Sequence, residues 1–189
     1  MKKILSLIII ALLLALSAQI LIADEKENEI RRLGRYVNTG ESDELVKFLL
    51  KAKEDGLPID GMLNKVKEGS AKQVESEKIL SVLYAKKSLL ERARMLIKEN
   101  EKEGLRVWEN DREESIEKLA QSLEDGVGAH ELKEFIKKII ENNEDIRYLV
   151  QSSSAYAAML RAKLERSEVK KLITMAIEKR INALMFLIN

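Results

Sequence analysis

His130 stands four residues before Glu134 and next to Glu131, a spacing that puts an imidazole and a carboxylate on one face of a helix. That is a fragment of a metal site. One histidine with two carboxylates is an incomplete transition-metal set, and the chain has no cysteine and no second histidine to complete it. His130 reads better as a polar residue in the first turn of a helix that opens after Gly126-Val127-Gly128-Ala129. Nucleophilic routes are equally thin, since there is no thiol and only His130 to activate a serine. Glu113-Glu114, Glu101 with Glu103, and Glu124-Asp125 are carboxylate pairs of the right type for acid–base work. Such pairs recur on every charged face here, and nothing marks one as buried in a cleft. Gly56-Leu57-Pro58-Ile59-Asp60-Gly61 lacks the preceding strand and the Gly-Lys-Ser/Thr ending of a phosphate loop, so it reads as a helix–helix turn with Pro58 fixing φ. The sequence calls for no catalytic residue, no metal and no cofactor.

Candidate contacts with another protein remain. Trp108 lies in a polar link, 101–110, where it either plugs a junction or serves as a contact hot spot. Ser152-Ser153-Ser154-Ala155-Tyr156-Ala157-Ala158 is a run of small residues around Tyr156. Small side chains admit a second helix at close range, from this chain or a partner, and the same chain is the favoured source. Near the C-terminus, Ile181-Asn182-Ala183-Leu184-Met185-Phe186-Leu187-Ile188 is apolar nearly all round. It is either core or a sticky patch, and a dimer contact through Leu184, Phe186 and Leu187 is the concrete interaction reading.

These residues are carried by helices. One proline, eight glycines, 4% aromatics and 34% charged residues suit helix formers and starve a sheet. Apolar periodicity predicts helices over 25–38, 43–55, 60–68, 77–100, 112–125, 129–142, 144–165 and 168–187. Gly40, Gly56, Gly69, Gly104 and Gly126 are placed as stops after them. Lys86 is the one charged residue on the apolar stripe of the 77–100 helix. Glu54-Asp55-Gly56-Leu57-Pro58 matches Glu124-Asp125-Gly126-Val127-Gly128, and the match extends to Val46 with Ile116 and Val66 with Ile136. A third, glycine-less echo lies at Leu164–Ile173. The expected architecture is an all-α bundle of amphipathic helices, built from two related helical-hairpin units over about 43–100 and 112–165 and a C-terminal helix at 168–187.

The N-terminus carries an address. Lys2 and Lys3 precede an apolar run, Ile4–Leu16, then small residues at Ser17, Ala18 and Ala23 and an abrupt charged start at Asp24. That order predicts a secretory signal over 1–23, cut after Ala23 or after Ala18. The alternative is an uncleaved anchor, since about 20 apolar residues span a bilayer as a helix. Both place the lysines inside and the rest outside, in the periplasm or secreted. With no cysteine, lipid anchoring at a mature N-terminal Cys is excluded, and no disulfide reinforces the fold. Removing 1–23 leaves 166 of the 189 residues, enough for one helical domain, and takes the formal net charge from +1 to −1. A near-neutral chain presents no large-scale field to nucleic acid, and membrane contact is expected only through 1–23 if they are retained.

Gly56-Leu57-Pro58 through Met62-Leu63-Asn64-Lys65-Val66-Lys67-Glu68-Gly69-Ser70-Ala71-Lys72-Gln73-Val74 resembles a pattern of exported bacterial all-helical proteins. Its elements are a Gly-Leu-Pro turn, a short amphipathic helix ending in Glu-Gly, then a small residue and Ala-Lys. Those relatives often carry proline just after the final hydrophobic position, where this chain has Glu75-Ser76. The resemblance implies export and helical hairpins; it transfers no catalytic residue. The leading expectation is an exported, non-enzymatic binding or assembly module of the cell envelope, with an unidentified protein partner or a second copy. A chaperone-like protein that shields apolar clients comes second, and a glutamate-dependent envelope hydrolase or lyase third.

Overall fold

The structure, a computed structural model, describes residues 25–33 and 42–181. The signal segment predicted over 1–23, the stop placed at Gly40 and the contacts placed at Leu184, Phe186 and Leu187 lie outside those residues. The described residues are all-helical, as the composition predicts, apart from one parallel bridge between Arg106 and Asp145. Helix α1 covers 25–33. It is followed by α2 (Ser42–Glu54), α3 (Asp60–Ala71), α4 (Ser76–Glu101), α5 (Glu109–Glu124), α6 (Ala129–Glu141), α7 (Ile146–Arg161) and α8 (Arg166–Glu178). None is long and apolar enough to cross a membrane.

Each helix from α2 to α8 ends in the same way. The residue two past the last helical turn, or three past it in α4, takes a left-handed conformation. Its N–H and the next one then reach back to the otherwise orphaned carbonyls, the Schellman arrangement. At α2 the left-handed residue is Gly56 (φ 71°), with Gly56 N–H donating to Lys53 O and Leu57 N–H to Ala52 O. Gly104 and Gly126 repeat this after α4 and α5. At α3, α6, α7 and α8 the residue is not glycine: Gln73 (54°), Asn143 (58°), Lys163 (62°) and Arg180 (55°).

These stops correct two sequence expectations. Gly69 does not end α3, which runs on to Ala71. Its lack of a side chain serves packing instead, because a Cβ there would sit 2.7 Å from Cγ1 of Ile79 on α4. The C-terminal helix stops at Glu178 rather than 187, since Ile181 N–H returns to Ala176 O and Arg180 N–H to Ile177 O. An apolar pattern that continues past a non-glycine stop conceals it.

Six of the seven left-handed residues fall in pairs, 56 and 73, 126 and 143, 163 and 180, each pair seventeen positions apart, and Gly104 after α4 stands outside them. They delimit three hairpins of one design: α2–α3, α5–α6 and α7–α8. The first two carry the sequence match; the third is the glycine-less echo. Buried positions correspond across them. Leu45, Leu49 and Ala52 of α2 answer to Ser115, Leu119 and Ser122 of α5 and to Ser152, Tyr156 and Met159 of α7. In the second helices Met62, Leu132 and Val169 correspond, as do Val66, Ile136 and Ile173.

The second and third hairpins stack like on like, with α5 against α7 and α6 against α8. The long α4 lies between the first and second hairpins and packs on α2, α3 and α5. Lys86, the exception on the α4 stripe, is buried at that joint with its Nζ 3.0 Å from Glu124 of α5. Beside it Glu117 of α5 accepts the Gly61 N–H at 2.9 Å and so caps α3, whose N-cap Ile59 has no side-chain acceptor. Helix α1 is tied to α3 by Lys26–Asp60 and Glu29–Lys67. One contiguous apolar cluster runs from Ile30 to Ile177.

Gly69→Ala tests the close approach of α3 to α4. Helix propensity alone would add about 1 kcal/mol of stability. Overpacking against Ile79 costs about 1–3 kcal/mol, so urea unfolding should show a net loss.

Candidate protein interface

The second and third hairpins are joined by a charge ladder of constant spacing. Asp111 pairs with Arg147, Asp125 with Arg161, Glu134 with Lys170 and Glu144 with Arg180, each acid thirty-six positions before its base. Glu131 forms the centre of this junction. Its carboxylate accepts from Arg166 of α8 and from the Tyr156 hydroxyl of α7 at 3.3 Å. Burial pushes the Glu131 carboxyl up, but the Arg166 guanidinium outweighs it and holds the group below its ordinary value. Burial, then the Glu131 charge, pushes the Tyr156 hydroxyl up to about 12.

Tyr156 is therefore corrected from partner contact to core residue. Its side chain is fully buried, with its ring edge-on to Phe135 at 5.5 Å. The small residues around it receive α5 of the same chain, with Ser153 Oγ 3.2 Å from Ser122 Oγ. The carboxylates beside His130 are also taken. Glu131 belongs to Arg166 and Tyr156, and Glu134 lies 2.6 Å from Lys170, while His130 itself is exposed and 2.9 Å from Glu134. Glu101, another acid–base candidate, makes a two-pronged bond to Arg112.

Trp108 is not a plug. It is the N-cap residue of α5 and 55% exposed. The link around it is held elsewhere: Arg106 O accepts the Ile146 N–H at 2.9 Å, which brings the start of α5 beside the start of α7. There Asp145, the N-cap of α7, accepts from the Arg147 guanidinium and from the Arg147 N–H, and its carboxyl is held below the ordinary range by the guanidinium first. Trp108 adds a weaker pull on the same carboxylate. The exposed ring thus stands on a fixed base.

Two further apolar surfaces were not legible as sites in the sequence. One is an open groove of about 420 Å³ between α4 and the start of α6, where Met95, Leu96 and Ala129 lie among Ser88, Glu91, Arg92, Glu99 and Lys133. Met95 is 59% exposed there, although its neighbour Leu96 is buried. The other is the outer face of α8, where Leu172 and Met175 are exposed, with exposed Leu164 in the turn before it. A scan for large residues on the polar side of each helical stripe would have found both. Compared with known proteins, the chain matches no protein-family model, no curated sequence and no solved structure.

The junction makes a pH prediction. In the unfolded chain a tyrosine ionises near 10, whereas Tyr156 in the folded chain keeps its proton to about 12. Stability from this group is present below pH 10 and lost as pH rises through that window. Urea unfolding across pH 9–12 should show a steeper fall for the natural chain than for Tyr156→Phe.

Proposed function

We propose that this chain is an exported, non-enzymatic array of helical hairpins that works as a binding or assembly module of the bacterial cell envelope. The carrying observation is the in-register stacking of the second hairpin on the third, with the first joined to them through α4. Units that contact only their sequence neighbours build an extended surface rather than a closed one, and such arrays serve recognition. The chain's charged residues at the unit junctions are committed to holding that register, from Asp111–Arg147 to Glu144–Arg180. Exposed Trp108 and Met95 supply apolar anchors on the surface so formed. The order of charge, apolar run and small residues over 1–23 supports export.

The groove at Met95 favours a second reading, a shield for apolar clients, because a flexible thioether adapts to varied surfaces. The two separate experimentally. A photo-crosslinking residue at 95 or 108, introduced in the producing cell, gives one discrete adduct for a dedicated partner and a smear of client masses for a shield. No adduct from either position, with the chain in the envelope fraction, contradicts both. N-terminal sequencing of that fraction tests the address: a mature start at Asp24 or Gln19, or a membrane-bound Met1, supports it, and a soluble cytoplasmic chain beginning at Met1 overturns it.

A further inference from the structure

The array ends on α8, and its outer face is the surface a fourth hairpin would cover. Two observations decide what covers it. The first is that the ladder does not continue. The acids at 111, 125, 134 and 144 are answered in the last hairpin, at the register of the core correspondences, by Tyr148, Ala162, Lys171 and Ile181. A lysine where an acid should stand, and three uncharged residues, leave nothing to receive the bases of another unit stacked in the same sense.

The second is the pattern on the face itself. Glu168, Leu172, Met175 and Lys179 form one stripe at steps of four, three and four, the spacing of a helix–helix seam. All four are exposed, with Leu172 and Met175 each at 36%. Among the described residues Glu168 and Lys179 carry no ion pair, although the charges that face the neighbouring hairpin are paired. This stripe is complementary to itself when reversed. A two-fold axis between Leu172 and Met175 sets Leu172 against Met175 of a second copy, and Glu168 against that copy's Lys179, twice over.

We infer that the outer face of α8 is a homodimer contact in which two copies of the chain pair their α8 helices antiparallel. The inference rests on the reading of the chain as an assembly module and names the partner at one of its surfaces. An isologous contact of this kind closes the array at two chains and hides the apolar residues of the terminal unit. It also explains the chemistry of the stripe: acid and base flank the apolar centre in an order that opposes like charges in a parallel pairing and matches unlike ones in the antiparallel pairing.

Sedimentation equilibrium on the chain, purified as the producing cell processes it, tests this. The natural chain should associate to a dimer. Glu168→Lys and Lys179→Glu should each weaken association on the order of tenfold or more, by setting like charges opposed at two symmetry-related places. The double swap, Glu168→Lys with Lys179→Glu, should restore it. Unchanged circular dichroism of the single variants shows that the helical fold is kept, while their thermal unfolding should lose the concentration dependence that dimerisation gives the natural chain. A natural chain that stays monomeric at every concentration overturns the inference, as it would if residues 182–189 or another protein covered the stripe. A dimer indifferent to the single swaps, or not rescued by the double one, overturns it as well. Neither result touches the crosslinks at 95 and 108, so failure of the dimer and failure of the binding-module reading are distinguishable.

Discussion

An α-helix has to end, and when it ends inside a packed domain its last carbonyls must find donors. That constraint shapes this molecule. Seven successive helices meet it with the same device, a left-handed residue that turns the chain so that its own N–H and the next one reach back. The place of the device sets the length of each second helix, and therefore which residues of one hairpin stand beside which residues of the next. Moving one stop by a single residue would rotate the following helix by about 100° and carry Val169, Ile173 and Ala176 out of the core.

Packing and pairing divide the labour between them. Fully burying one leucine or isoleucine contributes about 1.5–3 kcal/mol, and the cluster from Ile30 to Ile177 contains many such residues. An exposed ion pair contributes about 0–1 kcal/mol, so the acid–base ladder is a minor source of stability. Its role is selection among registers. Sliding the third hairpin along the second would keep much of the apolar contact but would break all the ladder pairs together. It would also strand Tyr156 and Glu131, whose hydrogen bond needs one alignment of α6 and α7. With α4 interposed, the first joint is made differently, through Lys86, Glu117 and the capped end of α3.

Much of this was legible in the sequence, because helix formers, apolar periodicity and glycine stops are local signals. Gly56, Gly104 and Gly126 end helices as expected, and the repeated Glu-Asp-Gly marks two of the three hairpins. What escaped depends on residues distant in sequence. Gln73, Lys163 and Arg180 stop helices with no local signature. Gly69 resembles a stop until Ile79 is known to press on it. Tyr156 resembles an anchor until Phe135 and Glu131 are seen around it. Trp108, set in a polar link, resembles a plug, and it is exposed because backbone hydrogen bonds at Arg106 and Ile146 close the link without it. The surfaces at Met95 and along Glu168, Leu172, Met175 and Lys179 escaped for a related reason: one helical stripe does not say which side a neighbour takes.

Left-handed stops, including the non-glycine ones, fix the register of the hairpins. Lys163→Gly tests it most directly. A lysine in this conformation carries about 1–2 kcal/mol of strain, partly offset by the entropy a glycine adds to the unfolded chain. Chemical denaturation should therefore show Lys163→Gly more stable than the natural chain by roughly 0.5–1 kcal/mol. Lys137→Gly, on the exposed face of α6, should lose about 1 kcal/mol as an ordinary helix-interior glycine does. A loss at position 163 equal to that at 137 would mean that residue 163 is helical and that the third hairpin has no stop there, which contradicts the account.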